Sequence, residues 1–217
     1  MVAAVLWDFG GVITTSPFEA FNRFEAEMGL PQDFIRTVNA TNPDHNAWAL
    51  FERAEISASA FDAQFLSEST ALGHAVRGAD VLPLLAGDVR PAVVGALRAC
   101  KARFKVGCIT NNVRTGHGTG MAGTAEKATA VAEVMALFDV VIESSKAGVR
   151  KPDPLIYRMA CEVLDVAPAD CVYLDDLGVN CKGAAALGMH AIKVVSEAQA
   201  LADLEAATGL VFERSAA

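Results

Sequence analysis

The chain has 217 residues, of which 53% are hydrophobic and 20% charged, and its 26 acidic and 18 basic side chains leave a net charge of −8. That is enough apolar material for one core, or for a core with an added lobe. The acidic balance and the lack of any Lys/Arg cluster argue against a nucleic-acid partner. No apolar stretch approaches the roughly 18 residues of a membrane span.

Met1 to Leu6 carries no basic flank and runs straight into Asp8, so it reads as a strand and not as a leader. The expected address is the cytoplasm. Val5-Leu6-Trp7 is an apolar run stopped by Asp8, and Gly10-Gly11 follow before apolar residues resume at Val12-Ile13. Such a run reads as a buried strand whose exit turn carries one carboxylate. Thr14-Thr15-Ser16-Pro17 then signals a helix start, and Phe18, Phe21, Phe24 and Met28 recur at helical spacing. From there to about Gly87 the pattern is helical but broken by Gly and Pro, with Ser57 as an N-cap and no convincing strand.

From Asp88 the texture changes to alternating units. Pro91 opens a helix, and Phe104 to Ile109 is a strand ending in Thr110-Asn111-Asn112. Residues 125–137 form a helix, and Val140-Val141-Ile142 is a strand ending in Glu143-Ser144-Ser145-Lys146. Asp153-Pro154 begins the next helix in the N-cap and N1 pattern. Cys171 to Leu174 is a strand ending in Asp175-Asp176, a short helix stops at Gly188, and Ala191 to Val195 is the last strand before a helix over 197–208. Strands alternating with helices predict a parallel sheet covered on both faces. Gly116 to Gly120 reads as a flexible loop that matches no phosphate-loop pattern. The five cysteines (Cys100, Cys108, Cys161, Cys171, Cys181) are odd in number and form no C-x-x-C, so they are expected to be reduced and buried.

In a parallel sheet all carboxyl ends of strands share one edge, so Asp8, Thr110-Asn111, Lys151 and Asp175-Asp176 are expected to converge there. Carboxylates with no His or Cys nearby suit Mg²⁺, Thr110 and backbone N–H groups suit anionic oxygens, and Lys151 supplies a point cation. An Asp oxygen aimed at a held phosphorus is a nucleophile for phosphoryl transfer. Asp8-Phe9-Gly10 also spells a kinase triplet, but no H-R-D segment accompanies it, and no G-x-G-x-x-G follows the first strand.

Asp8-Phe9-Gly10-Gly11-Val12, Thr110-Asn111, Lys151-Pro152-Asp153-Pro154 and Asp175-Asp176-Leu177-Gly178-Val179-Asn180, in that order, resemble the four motifs of the haloacid dehalogenase superfamily. Together with Ser16-Pro17, Trp48 to Phe51 and Arg53 to Ile56, the chain is similar to the branch of phosphatase-like amino-terminal domains of epoxide hydrolases. Related domains are fused to some acyl-CoA dehydrogenases. The resemblance implies an α/β fold: a Rossmann-like, doubly wound parallel sheet core over 1–14 and 88–217, with an inserted helical cap over 15–87. It implies Asp8 as nucleophile and metal ligand, Thr110 and Asn111 as phosphate holders, and Lys151 as the group that neutralises the aspartyl-phosphate. Gly10 (through its carbonyl), Asp175 and Asp176 would complete a Mg²⁺ site, with Asn180 behind them, and the partner would be a small phosphorylated molecule. The sequence does not indicate an oligomeric state.

One departure stands out. Phosphatases of this family carry a second Asp two residues after the nucleophile, as general acid and base, and here that position is Gly10. Three readings follow: a phosphatase with a good leaving group or a proton from water or a cap residue such as Glu19; a fold kept for binding or regulation; or a 2-haloacid dehalogenase. Asp175-Asp176 ranks the dehalogenase last, because such an enzyme has no use for two carboxylates crowding its nucleophile.

Overall fold

In this computed structural model, which describes residues 1–113 and 125–212, the apolar run near the start is β1, Ala4–Trp7, and every residue in it is buried. A central strand covered on both faces must be apolar on both, which is why no polar alternation marks it. The chain then turns through Phe9–Ile13 and enters α1, Pro17–Glu27, with the Ser16 hydroxyl accepting from Phe18 N–H as its N-cap. Short helices follow: α2 (Phe34–Ala40), α3 (Ala47–Glu52), α4 (Ala58–Ala71, capped by Ser57) and α5 (Gly78–Val81). They build their own core. Trp48, Phe51, Phe61 and Phe65 pack together, with Phe51 and Phe61 stacked at 4.8 Å. The segment leaves and returns side by side: Thr14 bridges Val89, and Thr15 N–H donates to the Asp88 carbonyl at 2.8 Å.

The alternating half follows as α6 (Pro91–Lys101), β2 (Lys105–Thr110), α7 (Ala125–Met135), β3 (Val140–Glu143), α8 (Ser144–Ala147), α9 (Pro154–Leu164), β4 (Cys171–Asp175), α10 (Gly178–Ala186), β5 (His190–Lys193) and α11 (Glu197–Thr208). The sheet is parallel throughout, in the order β3-β2-β1-β4-β5. Period-two alternation divides the strands between two layers. Val5 and Trp7 pack with α6 and α11, whereas Ala4 and Leu6 pack with α9. This is the Rossmann-like, doubly wound sheet expected from the sequence.

Boundaries moved by one or two residues. β2 starts at Lys105 because Phe104 N–H is bound to the Cys100 carbonyl in the turn that ends α6. β5 stops at Lys193, and Val195 N–H is taken by the side chain of Gln199 in α11. α7 ends at Met135, two residues early, in a turn closed by Leu137 N–H on the Val134 carbonyl. The loop expected at 116–120, with His117, lies outside the described residues. All five cysteines are free and buried, and no described helix is long and apolar enough to cross a membrane.

Candidate active site

The strand order reverses direction at β1: the chain builds outward to β3 on one side, then crosses to β4 and β5 on the other. Ligands of open α/β sheets bind in the crevice at such a switch point, beyond the carboxyl ends of the strands. Asp8 sits there, held in line by its N–H on the Leu174 carbonyl at 2.8 Å. Asp175 ends β4 and Thr110 ends β2, so the sheet register alone brings three of the predicted residues to one edge.

The fourth, Lys151, follows α8 and reaches into the cluster with only 1% of its side chain exposed. Its ammonium lies 2.7 Å from Asp8 and 2.8 Å from Asp175. Burial works against the charge on Lys151, but the two carboxylates outweigh it and hold its pKa above the ordinary lysine value. Asn111 positions this lysine through the backbone: its Oδ1 accepts from Lys151 N–H at 2.8 Å and its Nδ2 donates to the Lys151 carbonyl at 3.2 Å. The Asn111 side chain is therefore occupied, and a direct grip on a phosphate would cost those two bonds.

Asp175 is fully buried and saturated with donors. Lys151, the Tyr173 hydroxyl, Asn180 Nδ2 at 3.0 and 3.1 Å, and Leu177 N–H at 2.8 Å all point at its oxygens. Asp8 accepts from Phe9 N–H and Lys151 on one oxygen, which leaves its other oxygen without a protein partner among the described residues. Asp176 is steadied by the Ser16 hydroxyl at 3.1 Å. Carboxylate oxygens of Asp8, Asp175 and Asp176 all lie within 4.8 Å of one another. Burial pushes Asp8 well above the usual carboxylate range; Lys151 opposes this, while Asp175 and Asp176 add to it. Burial and the Asp175 charge likewise push Asp176 up to about 6.

This donor set fits Mg²⁺. It is all oxygen, and three carboxylates against one ammonium leave negative charge that a divalent cation would offset. Asp8 and Asp176 have oxygens to offer, and Asp175 is better placed to position Lys151 than to bind metal directly. The two glycines differ in kind. Gly11 has φ +77°, and a Cβ there would run into the Asp176 carboxylate, so only glycine fits. Gly10 has ordinary dihedrals (φ −66°, ψ 133°), and a Cβ there would meet nothing within 4 Å.

Sequence reasoning missed Tyr173, although it lies two residues before Asp175 on β4 and so shares its face, a signal that was available. It also missed the seam between the inserted helices and the sheet. Arg150 Nε lies 2.7 Å from Glu52 Oε2, Arg150 also donates to the Pro43 carbonyl, and the Ser144 hydroxyl donates to the Glu52 carbonyl at 2.7 Å. Glu19 is exposed on the first turn of α1 and makes no hydrogen bond or ion pair with the described residues of the cluster.

A haloacid dehalogenase-like hydrolase family model matches residues 2–188. The chain is 30% identical over 212 residues to acyl-CoA dehydrogenase family member 10 of Mus musculus, covering 95% of this chain and 19% of that protein. It is 28% identical over 217 residues to bifunctional epoxide hydrolase 2 of Mus musculus, covering 95% of this chain and 39% of that one. The chain thus spans well under half the length of either relative. Among solved structures, a family enzyme from Bacteroides thetaiotaomicron in complex with magnesium and inorganic phosphate superposes with a TM-score of 0.57 at 16% identity, over 91% of this chain and 96% of that one. With the family model covering most of the chain, the protein belongs to the haloacid dehalogenase-like hydrolases.

Proposed function

We propose that this chain is a Mg²⁺-dependent phosphatase-type hydrolase that acts on a small phosphorylated molecule through an aspartyl-phosphate on Asp8. The observation that carries this reading is the Lys151 ammonium, buried between Asp8 and Asp175 within a cluster that includes Asp176. The unpartnered Asp8 oxygen attacks phosphorus, and Lys151 orients Asp8 and offsets the charge of the phosphoryl group. Thr110, buried at the end of β2, holds phosphoryl oxygens with nearby backbone N–H groups. Asp8, Asp176 and the Gly10 carbonyl would hold Mg²⁺, with Asp175 behind them; bound there, the ion supplies charge neutralisation for the transferred phosphoryl group. The helices over residues 15–87 act as the cap that shields the site from water. The Bacteroides neighbour, which binds magnesium and phosphate, supports this chemistry.

A second reading, a site retained for binding with little turnover, is favoured by Gly10 alone. The test is phosphate release with Mg²⁺ from a panel of phosphate esters and acyl phosphates, comparing wild type with Asp8→Asn. Turnover that disappears in Asp8→Asn supports the phosphatase. No turnover, with tight binding of inorganic phosphate, supports the second reading. Halide release from a 2-haloacid without Mg²⁺ would overturn both.

A further inference from the structure

Among the described residues the site contains a nucleophile and a charge clamp, and the position two residues after the nucleophile offers no acid to deliver a proton to a departing oxygen. At Gly10 there is no side chain, and the space a Cβ would enter is open. Several other protic groups nearby among the described residues already have partners. The Tyr173 hydroxyl donates to Asp175, the Ser16 hydroxyl donates to Asp176, and the Lys151 ammonium is shared by Asp8 and Asp175. Glu52, the acid of the seam with the helical lobe, is held against the Arg150 guanidinium at 2.7 Å, and burial raises its pKa in spite of that cation. Glu19 is exposed and His74 packs edge-on against Phe34 within the helical lobe, while His190 starts β5 at the opposite edge of the sheet.

We infer that the substrates are anhydrides of phosphate, acyl phosphates above all, whose leaving oxygen departs as a stable anion and needs no proton. This rests on the phosphatase reading and narrows it. In the first step an Asp8 oxygen forms a bond to phosphorus, and the bond from phosphorus to the leaving oxygen breaks. The electron pair goes to that oxygen, which leaves as a carboxylate. In the second step water attacks the phosphorus of the aspartyl-phosphate, the Asp8–phosphorus bond breaks, and Asp8 is restored as a carboxylate. The proton lost by the water passes to solvent. Both leaving groups are carboxylates, so neither step calls for a general acid; the base that Gly10 also lacks would act only on the water of the second step, which is the same for every substrate. For an alkyl phosphate the same site would have to expel an alkoxide, and missing general acid catalysis costs about 10²- to 10⁴-fold there. Gly10 is not a demand of the scaffold, since its dihedrals and its surroundings both accept a side chain. The missing acid therefore bears on the chemistry of the substrate and not on folding.

The experiment is a leaving-group series. With Mg²⁺ present, kcat/KM is measured for acetyl phosphate, 4-nitrophenyl phosphate and phenyl phosphate, with wild type beside Gly10→Asp. Wild type is expected to favour acetyl phosphate and to lose about 10²-fold or more between 4-nitrophenyl and phenyl phosphate. Gly10→Asp is expected to flatten that slope, gaining most on phenyl phosphate. If wild type hydrolyses phenyl phosphate about as fast as 4-nitrophenyl phosphate, a proton donor is at work and the inference fails while the phosphatase stands. If no probe releases phosphate with wild type, the phosphatase reading falls and takes this inference with it. The wild-type slope decides between these outcomes whether or not the variant folds.

Discussion

Lys151 is where the residue-scale physics concentrates. A buried ammonium held by two carboxylates is mutually satisfied, but removing it leaves Asp8 and Asp175 close together with no cation between them. Breaking a buried pair from one side costs about 3–5 kcal/mol, because the remaining charge stays desolvated. Lys151→Met is therefore expected to lower stability by that amount in urea unfolding and to abolish phosphate release. An unchanged unfolding midpoint would mean that the ammonium is not the cation holding the cluster. Asp8, Asp175 and Lys151 were legible in the sequence because each ends an apolar run or abuts a proline turn. The role of the Asn111 side chain was not, since its partner is the backbone of Lys151, 40 residues away.

At the scale of elements, the helical lobe depends on an aromatic stack and on a seam. Phe61 is fully buried against Trp48 at 4.8 Å and Phe51 at 4.8 Å. Phe61→Ala leaves a cavity costing about 3–5 kcal/mol, and thermal unfolding should show the loss. The effect should centre on the lobe, since Phe61 packs in the lobe's own hydrophobic cluster. The seam gives a different result. Arg150 ties α3 to the turn that precedes Lys151, through Glu52 and the Pro43 carbonyl. Arg150→Ala should loosen α3 without unfolding the sheet. Amide exchange over residues 43–52 is expected to rise about tenfold, while β1 and β4 keep their protection. Equal exchange in both proteins would mean that the Ser144 hydroxyl, which also holds the Glu52 carbonyl, is sufficient alone.

For the whole molecule, the crowded carboxylates tie stability to pH and to metal. In the metal-free protein Asp8 and Asp176 titrate above their unfolded values. A carboxyl raised on folding contributes stability that is fully present below its ordinary pKa and lost as pH rises through the folded one, about 6 for Asp176. In the presence of a chelator the thermal midpoint is therefore expected to fall between about pH 4 and about pH 8 on account of these groups. Mg²⁺ should restore it, and by more at the higher pH, where the carboxylates are ionised and free to bind. A midpoint that ignores Mg²⁺ at both pH values would remove the metal from the site.

The sequence by itself determined the sheet, its doubly wound layering and the order in which four polar clusters meet the strand ends. Those features follow from local period and from the rule that parallel strands share one carboxyl edge. It also indicated that the usual second acid is missing. Only the tertiary structure decided what surrounds that gap: open space at Gly10, Ser16 bonded to Asp176 across 160 positions, and Glu52 against Arg150. No periodicity encodes such pairings, because they form between side chains that are brought together only when the elements pack. The availability of a proton or a lone pair depends on the last neighbour to arrive.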